Sequence, residues 1–277
     1  MKKAVIDVGS NSVRLLLDGR KTTINTQLAE KAGVGGKLLP EAMSRTAEAI
    51  RFLKEQAENA GAKTFVFATE AVRSASNKEE FLSQVRAFGA EIDVLPPEKE
   101  AEIGFFGAYD GVGTKAVLDV GGASSELAVG NEKGLLYAHS LPIGSVRIKD
   151  YSQDFSTQSV YIKERVKEYG SVPPFDELVS IGGTSSSLIA IRDEVEPYDP
   201  NKIHLQKITK EEIKEVVDRI NATPVEERKH IKGLHPKKIL VIPAGGAVIL
   251  GIMEYLGLNE ITVSETDNLE GYLSGIL

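Results

Sequence analysis

The sequence predicts an α/β protein of two similar halves, and three observations carry that expectation. Short apolar runs ending at glycine alternate along the chain with stretches of helical periodicity. The segment Val5-Ile6-Asp7-Val8-Gly9-Ser10-Asn11-Ser12 returns near mid-chain as Val117-Leu118-Asp119-Val120-Gly121-Gly122-Ala123-Ser124-Ser125. A length of 277 residues suits two domains of ordinary size better than one.

Lys3–Val8 is a short apolar run and reads as a buried strand. Val13–Leu17 resumes it across a tight turn. Pro40–Ala60 carries Ala42, Met43, Ala47, Ile50, Leu53 and Ala57 at helical spacing and stops at Gly61. A strand over Thr64–Ala68 follows, then a helix over Lys78–Phe88 with Asn77 as its expected cap. Ile92–Leu95 is a strand, and Pro97–Ala108 a helix with proline at its start. Gly111-Val112-Gly113 is the expected linker, dividing the chain into 1–114 and 115–277. The second half opens on a strand over Lys115–Val120, a turn over Gly121–Ser125 and a strand over Glu126–Gly130. Leu178–Ile181 is a strand ending in Gly182-Gly183-Thr184, with a helix expected over Ser185–Arg192. Thr209–Asn221 is an amphipathic helix capped by Thr209 with Glu212 in the reciprocal position. The remaining elements are a strand over Ile239–Ile242, a helix over Ala244–Leu256, a strand over Glu260–Ser264 and a helix over Asn268–Leu277.

Composition narrows the chemistry. The chain has no cysteine, which excludes thiol catalysis, iron–sulfur clusters and cysteine zinc sites and fits a cytoplasmic protein. No run approaches a membrane span, and Asp7 breaks the N-terminal apolar run too early for a signal peptide. The net charge is −7, with acid and base balanced to residue 115 and the acidic excess after it. That balance argues against a nucleic-acid or membrane partner, while local loops can still bind a small polyanion.

The two Asp-x-Gly turns carry the chemistry. Glycine between strands lets the backbone approach a ligand, and successive N–H groups form an anion nest. Gly9, Ser10, Asn11 and Ser12 form the first candidate phosphate loop, and Gly121, Gly122, Ala123, Ser124 and Ser125 the second. Gly183 and Thr184 form a third, weaker one. A single such turn reads as an ordinary hairpin; two in the same strand–turn–strand setting do not. An aspartate beside bound phosphate calls for a cation between them. Magnesium suits that place, with manganese as a substitute, because it takes few carboxylates together with phosphate oxygens. Asp7 and Asp119 are therefore metal candidates, with Glu126 beside the second loop. Arg73 and Arg147 follow strands and suit phosphate recognition. Glu98, Glu100 and Glu102 lie together, and pattern alone reads them as a solvated helix face.

The motifs Ile-Asp-Val-Gly-Ser-Asn-Ser (6–12), Ala-Thr-Glu-Ala-Val-Arg (68–73), Glu-Ala (100–101), Leu-Asp-Val-Gly-Gly-Ala-Ser-Ser-Glu (118–126), Leu-Pro-Ile-Gly-Ser-Val-Arg (141–147) and Gly-Gly-Thr (182–184) occur in this order. Together they resemble the exopolyphosphatase / guanosine pentaphosphate phosphohydrolase family over nearly the whole chain. The resemblance implies two ribonuclease-H-like lobes of the actin-like ATPase type, with mixed sheets and a cleft between them. It implies hydrolytic release of a terminal phosphate from polyphosphate or a phosphorylated guanine nucleotide. It further implies Glu100 as the catalytic base, Asp119 and Glu126 beside a divalent metal, and phosphate contacts from Ser10, Asn11, Arg73, Gly122 and Ser124. Members of such families often pair, so a homodimer is an expectation of the resemblance. A kinase or ATPase on the same fold is the alternative reading, since fold does not fix the reaction.

The chain departs from the family pattern in places. Lys99 stands where a glutamate is frequent, Ala123 where a third glycine is, Lys238-Ile239-Leu240 where an arginine-alanine-aspartate triplet is, and Leu269 where a basic residue is. Longer members continue beyond the second lobe, which makes short polyphosphates or a nucleotide the expected substrate. The basic cluster from Arg228 to Lys238 argues for a longer polyanion.

Overall fold

Strand alternation decides which side chains face the centre of this molecule. In the computed structural model, which describes residues 2–32 and 36–275, the first half runs β1 (Lys2–Val8), β2 (Ser12–Leu17), β3 (Arg20–Asn25), α1 (Pro40–Asn59), β4 (Ala62–Ala68), α2 (Glu70–Arg73), α3 (Lys78–Arg86), β5 (Ile92–Val94) and α4 (Pro97–Ala108). The second runs β6 (Lys115–Val120), β7 (Ser125–Asn131), β8 (Gly134–Leu141), α5 (Ser145–Tyr151), α6 (Phe155–Arg165), β9 (Glu177–Ile181), α7 (Gly182–Arg192), β10 (Gln206–Thr209), α8 (Lys210–Ala222), α9 (Val241–Leu256), β11 (Glu260–Val263) and α10 (Asn268–Gly275).

The first sheet has the order β3-β2-β1-β4-β5, and the second has the order β8-β7-β6-β9-β11 with β10 added at its edge. In each, an antiparallel three-strand meander leads into parallel neighbours: β1 pairs β2 antiparallel and β4 parallel, and β6 pairs β7 antiparallel and β9 parallel. The repeat seen in sequence is thus a repeat of topology. It is the doubled ribonuclease-H-like arrangement implied by the resemblance.

Ala4, Ile6 and Val8 face the outer core of the first lobe against α1 and α3, while Val5 faces inward with Phe67, Ile103 and Leu269. Ala116, Leu118 and Val120 likewise face the outer core of the second lobe, and Val117 faces inward with Ala101 and Phe105. Because alternate residues share a face, Asp7 lies on the side of Val5 and Asp119 on the side of Val117. Alternation alone therefore turns both carboxylates toward the space between the sheets.

Two helices fill that space. α4 packs on β6, β7 and β8 of the second sheet, and α10 packs on β1 of the first and on α4 itself. Their crossing is backbone against backbone. A Cβ on Gly271 would lie 1.7 Å from the carbonyl oxygen of Ile103, and one on Gly107 would lie 1.9 Å from that of Asp267. Gly271→Ala is therefore expected to cost about 1–3 kcal/mol, read as a lower Tm by calorimetry. An unchanged Tm would show that the crossing has slack.

Several elements differ from expectation. The predicted strand Ile239–Ile242 is instead a turn leading into α9. Short apolar runs do not distinguish a buried strand from a buried helix, and α9 is buried on nearly all sides. Pro243 sits in its first turn, where a missing N–H costs nothing. Asn77 takes the expected N-cap position of α3 but makes no side-chain capping bond; its side chain accepts from Leu38 N–H at 2.9 Å and donates to Leu38 O at 3.1 Å. The Thr209/Glu212 capping box is present at α8. α7 begins at Gly182 rather than after Thr184. Of the last predicted helix, residues 276 and 277 lie outside the described residues. β3, α2, β8, α5, α6 and β10 are not among the elements expected from the sequence. No helix among the described residues is long and apolar enough to cross a membrane.

Candidate active site

Both glycine turns close on the same bond: Gly9 N–H donates to Ser12 O and Gly121 N–H to Ser124 O, each at 3.0 Å. The turns meet. A Cβ on Gly122 would stand 2.6 Å from Ser10 Cβ and 3.4 Å from Asn11 N. Only glycine allows the second loop this close to the first. Between the lobes lies a cleft of about 1090 Å³ whose walls include Gly9, Ser10, Asn11, Ser12, Gly121, Gly122 and Ser124. Asp7, Asp119, Glu100, Gly183 and Thr184 also line it.

Four expected site residues stand behind that wall. Ala123 is buried. Ser125 turns into the second lobe, where its hydroxyl meets the Tyr169 hydroxyl at 2.7 Å. Glu126 is buried and accepts from Ser140 Oγ at 2.6 Å. Arg73 is occupied by protein partners. Its Nη1 donates to Leu95 O at 2.6 Å and to Glu100 Oε2 at 2.8 Å, and its Nη2 to Glu70 Oε2 at 2.8 Å.

Glu100 is set apart from its neighbours by the packing of α4. Glu98 is exposed and Glu102 pairs with Lys99 at 2.9 Å near the surface, whereas Glu100 is 5% exposed and reaches the cleft. Burial pushes its pKa up to about 7 against the pull of Arg73, with Asp119 and Asp7 adding to the rise. A carboxyl poised there suits general base chemistry at neutral pH.

The two hairpins treat their aspartates differently. Asp7 lies directly across the ladder from Arg14, and Asp119 directly across from Glu126. Arg14 donates to Asp7 Oδ2 from Nε at 3.0 Å and from Nη2 at 2.5 Å, and pairs through Nη1 with Asp267 at 2.6 Å. The first carboxylate is therefore neutralised by the protein itself. Asp119 Oδ2 accepts from the Asn268 amide at 2.8 Å, with no cation paired to it among the described residues. Burial raises it to about 7 despite the nearby Arg14. The pKa of Glu126 is likewise held well above the ordinary glutamate value, by burial and by the charges of Glu100 and Asp119.

This is a concentration of buried and half-buried carboxyl groups beside two glycine loops. Among the described residues no three His, Asp or Glu side chains form a complete metal cage. The donors fit an ion that takes one or two carboxylates and fills its remaining positions with phosphate oxygens and water, as magnesium does. Asp119, on the cleft wall, would supply such a carboxylate; Glu126, behind that wall, and Asp7, committed to Arg14, are less suited to it. The buried Oδ1 atoms of Asn11 and Asn268 have no protein partner, consistent with a polar guest in the cleft.

The sequence did not single out Arg14, Lys21, Asp267 or Asn268. Arg14 did leave a signal, being the charge within the otherwise apolar run Val13–Leu17. Of the basic cluster, Lys229, His235 and Lys238 line the cleft. Lys238 Nζ donates to Gly183 O at 3.1 Å, and burial lowers its pKa to about 8 with help from the nearby charge of Arg14.

These features define a two-lobed α/β protein with a cleft between its lobes walled by two facing glycine loops. The chain belongs to the Ppx/GppA phosphatase family, whose family model matches residues 6–277. It is 30% identical to the bifunctional 3-dehydroquinate synthase/phosphatase of Fusobacterium nucleatum; the match covers 97% of this chain but only 46% of that protein. It is 27% identical to Exopolyphosphatase 2 of Mycobacterium tuberculosis, with 97% of this chain and 96% of the relative covered. The crystal structure of the Aquifex aeolicus Ppx/GppA family member superposes with a TM-score of 0.79 at 30% identity, covering 100% of this chain and 97% of that one.

Proposed function

We propose that this protein hydrolyses the terminal phosphoanhydride bond of inorganic polyphosphate or of guanosine pentaphosphate, with Glu100 as general base. The observation that carries the reading is the placing of Glu100, a buried carboxyl on the cleft wall shared by two facing glycine loops. Phosphoryl transfer needs chiefly positioning and charge neutralisation, and the loops with their hydroxyls provide anchoring for phosphoryl oxygens. Glu100 takes a proton from water as the water oxygen bonds to the terminal phosphorus. The bridging P–O bond breaks, its electron pair leaves with the shortened chain, and orthophosphate is released. Asp119 on the cleft wall would hold magnesium or manganese, with Glu126 buried across the ladder behind it, and the ion when bound would offset the charge of the phosphoryl oxygens. Support comes from the relative named Exopolyphosphatase 2 and from one named guanosine-5'-triphosphate,3'-diphosphate pyrophosphatase, from Aeromonas hydrophila.

The test is orthophosphate release from polyphosphate, guanosine pentaphosphate and ATP with magnesium or manganese. Release from either of the first two is the expected result. Turnover of ATP alone would sink the assignment and favour the ATPase reading. The pH profile gives a second check. Glu100 must be ionised to act, and its pKa is raised to about 7. Activity is expected to fall as pH drops through about 7, with one proton taken up. An acid limb near the ordinary glutamate value of 4.5 would count against Glu100 as the base.

A further inference from the structure

Arg147 is a half-buried cation whose hydrogen-bonding is incomplete. Its side chain is 12% exposed, its Nη1 has no hydrogen-bond partner, and its Nη2 stands 3.6 Å from Glu70 Oε1, just beyond hydrogen-bond reach. Burial lowers its pKa, with Glu70 and Tyr161 offsetting that loss. An arginine donor left unpaired in the interior is costly, so its position calls for a reason.

The surroundings supply one. The first turn of α5 is fastened to the second phosphate loop. Ser145 N–H donates to Gly121 O and Val146 N–H to Gly122 O, each at 2.8 Å, and Arg147 N–H to Gly122 O at 3.1 Å. A Cβ on Gly144 would lie 2.4 Å from the Gly122 carbonyl carbon, so α5 has almost no room to move apart from that loop. From this base in the second lobe, Arg147 faces Glu70 of the first. Glu70 holds Arg73 at 2.8 Å through its other oxygen, and Arg73 holds Glu100 at 2.8 Å. The order is loop, Arg147, Glu70, Arg73, Glu100, and it crosses the gap between the lobes.

We infer that Arg147 is a positioning residue, which ties the second phosphate loop to the orientation of Glu100 through Glu70 and Arg73. Glu70 gives one oxygen to Arg73 at 2.8 Å and turns the other toward Arg147 at 3.6 Å. Arg73 in turn fixes which oxygen of Glu100 remains open to the cleft. Arg147 completes the chain from the opposite lobe, so a small shift of the second loop on filling the cleft closes the 3.6 Å gap and seats the base. Misplacement of a reacting group by a fraction of an ångström is enough to slow a reaction strongly. The inference rests on the proposed role of Glu100 and adds a control over it.

The experiment compares Arg147→Gln, Arg147→Lys, Glu70→Gln and the double variant Glu70→Gln/Arg147→Gln, with magnesium and polyphosphate. Arg147→Gln is expected to lower kcat about tenfold with KM within about twofold, because Arg147 acts through the base and not on the substrate. Arg147→Lys should restore part of kcat. The double variant should be no slower than the slower single variant, since both break one chain. A rise in KM with kcat unchanged would make Arg147 a direct substrate contact and overturn the inference. So would a drop in Tm with both constants unchanged, or multiplicative losses in the double variant. Tm measured across the same four proteins needs no turnover: additive shifts for Glu70 and Arg147 would show that the chain does not exist. If wild-type protein released no phosphate from any substrate, the functional reading would fail while this stability cycle still judged the chain.

Discussion

Glu100→Gln is expected to lower kcat by about 10²–10⁴-fold, the range for loss of a positioned general base. The replacement keeps size and keeps an oxygen able to accept from Arg73 Nη1, now at 2.8 Å from the carboxylate. It removes only the capacity to take a proton. KM should stay within about threefold, since glutamine neither fills the cleft nor alters the loops. Glu98→Gln, on the same turn but exposed, should behave as wild type in the same assay. A Glu100→Gln enzyme retaining more than about a tenth of wild-type kcat would show that water is activated by another group.

The comparison of Glu98, Glu100 and Glu102 also shows where the sequence stops being legible. All three have the same residue type within one helical stretch, and pattern alone reads them as solvated. What separates them is the rotation of α4 between two sheets, with Ala101 and Phe105 on the second sheet and Ile103 toward the first. That rotation is a long-range fact, and only the family resemblance pointed to Glu100. The glycine hairpins were legible because their information is local: apolar strands, a turn that needs glycine, and hydroxyls following. The doubling of the domain was legible from the internal repeat, though not the order of its strands. β3 escaped because Arg20–Asn25 is polar and lies at a sheet edge, exposed along much of its length. Asn268 left no trace, because a helix-opening asparagine is ordinary and its bond to Asp119 spans most of the chain. The strand expected at Ile239–Ile242 failed because apolar character does not reveal period over four residues.

Asp119→Asn is expected to lower activity by at least about 10²-fold while raising thermal stability, a trade-off found where sites concentrate charge. Asp119 is half-buried on the cleft wall among acidic groups, and desolvation there, more than Asp267 or Asp7, moves its pKa from 3.8 to about 7. The folded state therefore keeps this proton up to about pH 7, whereas the unfolded chain releases it near 3.8. The stabilisation this proton gives is fully present below pH 3.8 and is lost progressively as pH rises through about 7. Asparagine is neutral throughout, and its oxygen can still accept from the Asn268 amide. At pH 8 without divalent cation the variant should thus melt above wild type, and the gap should narrow toward pH 5. Magnesium should raise wild-type Tm at pH 8 more than that of the variant, because a cation offsets the charge that asparagine has removed. Calorimetry at pH 5 and pH 8, with and without magnesium, reads all of these outcomes. A variant that melts below wild type at pH 8, or an equal magnesium shift in both proteins, would show that Asp119 is not the unneutralised charge beside the second loop.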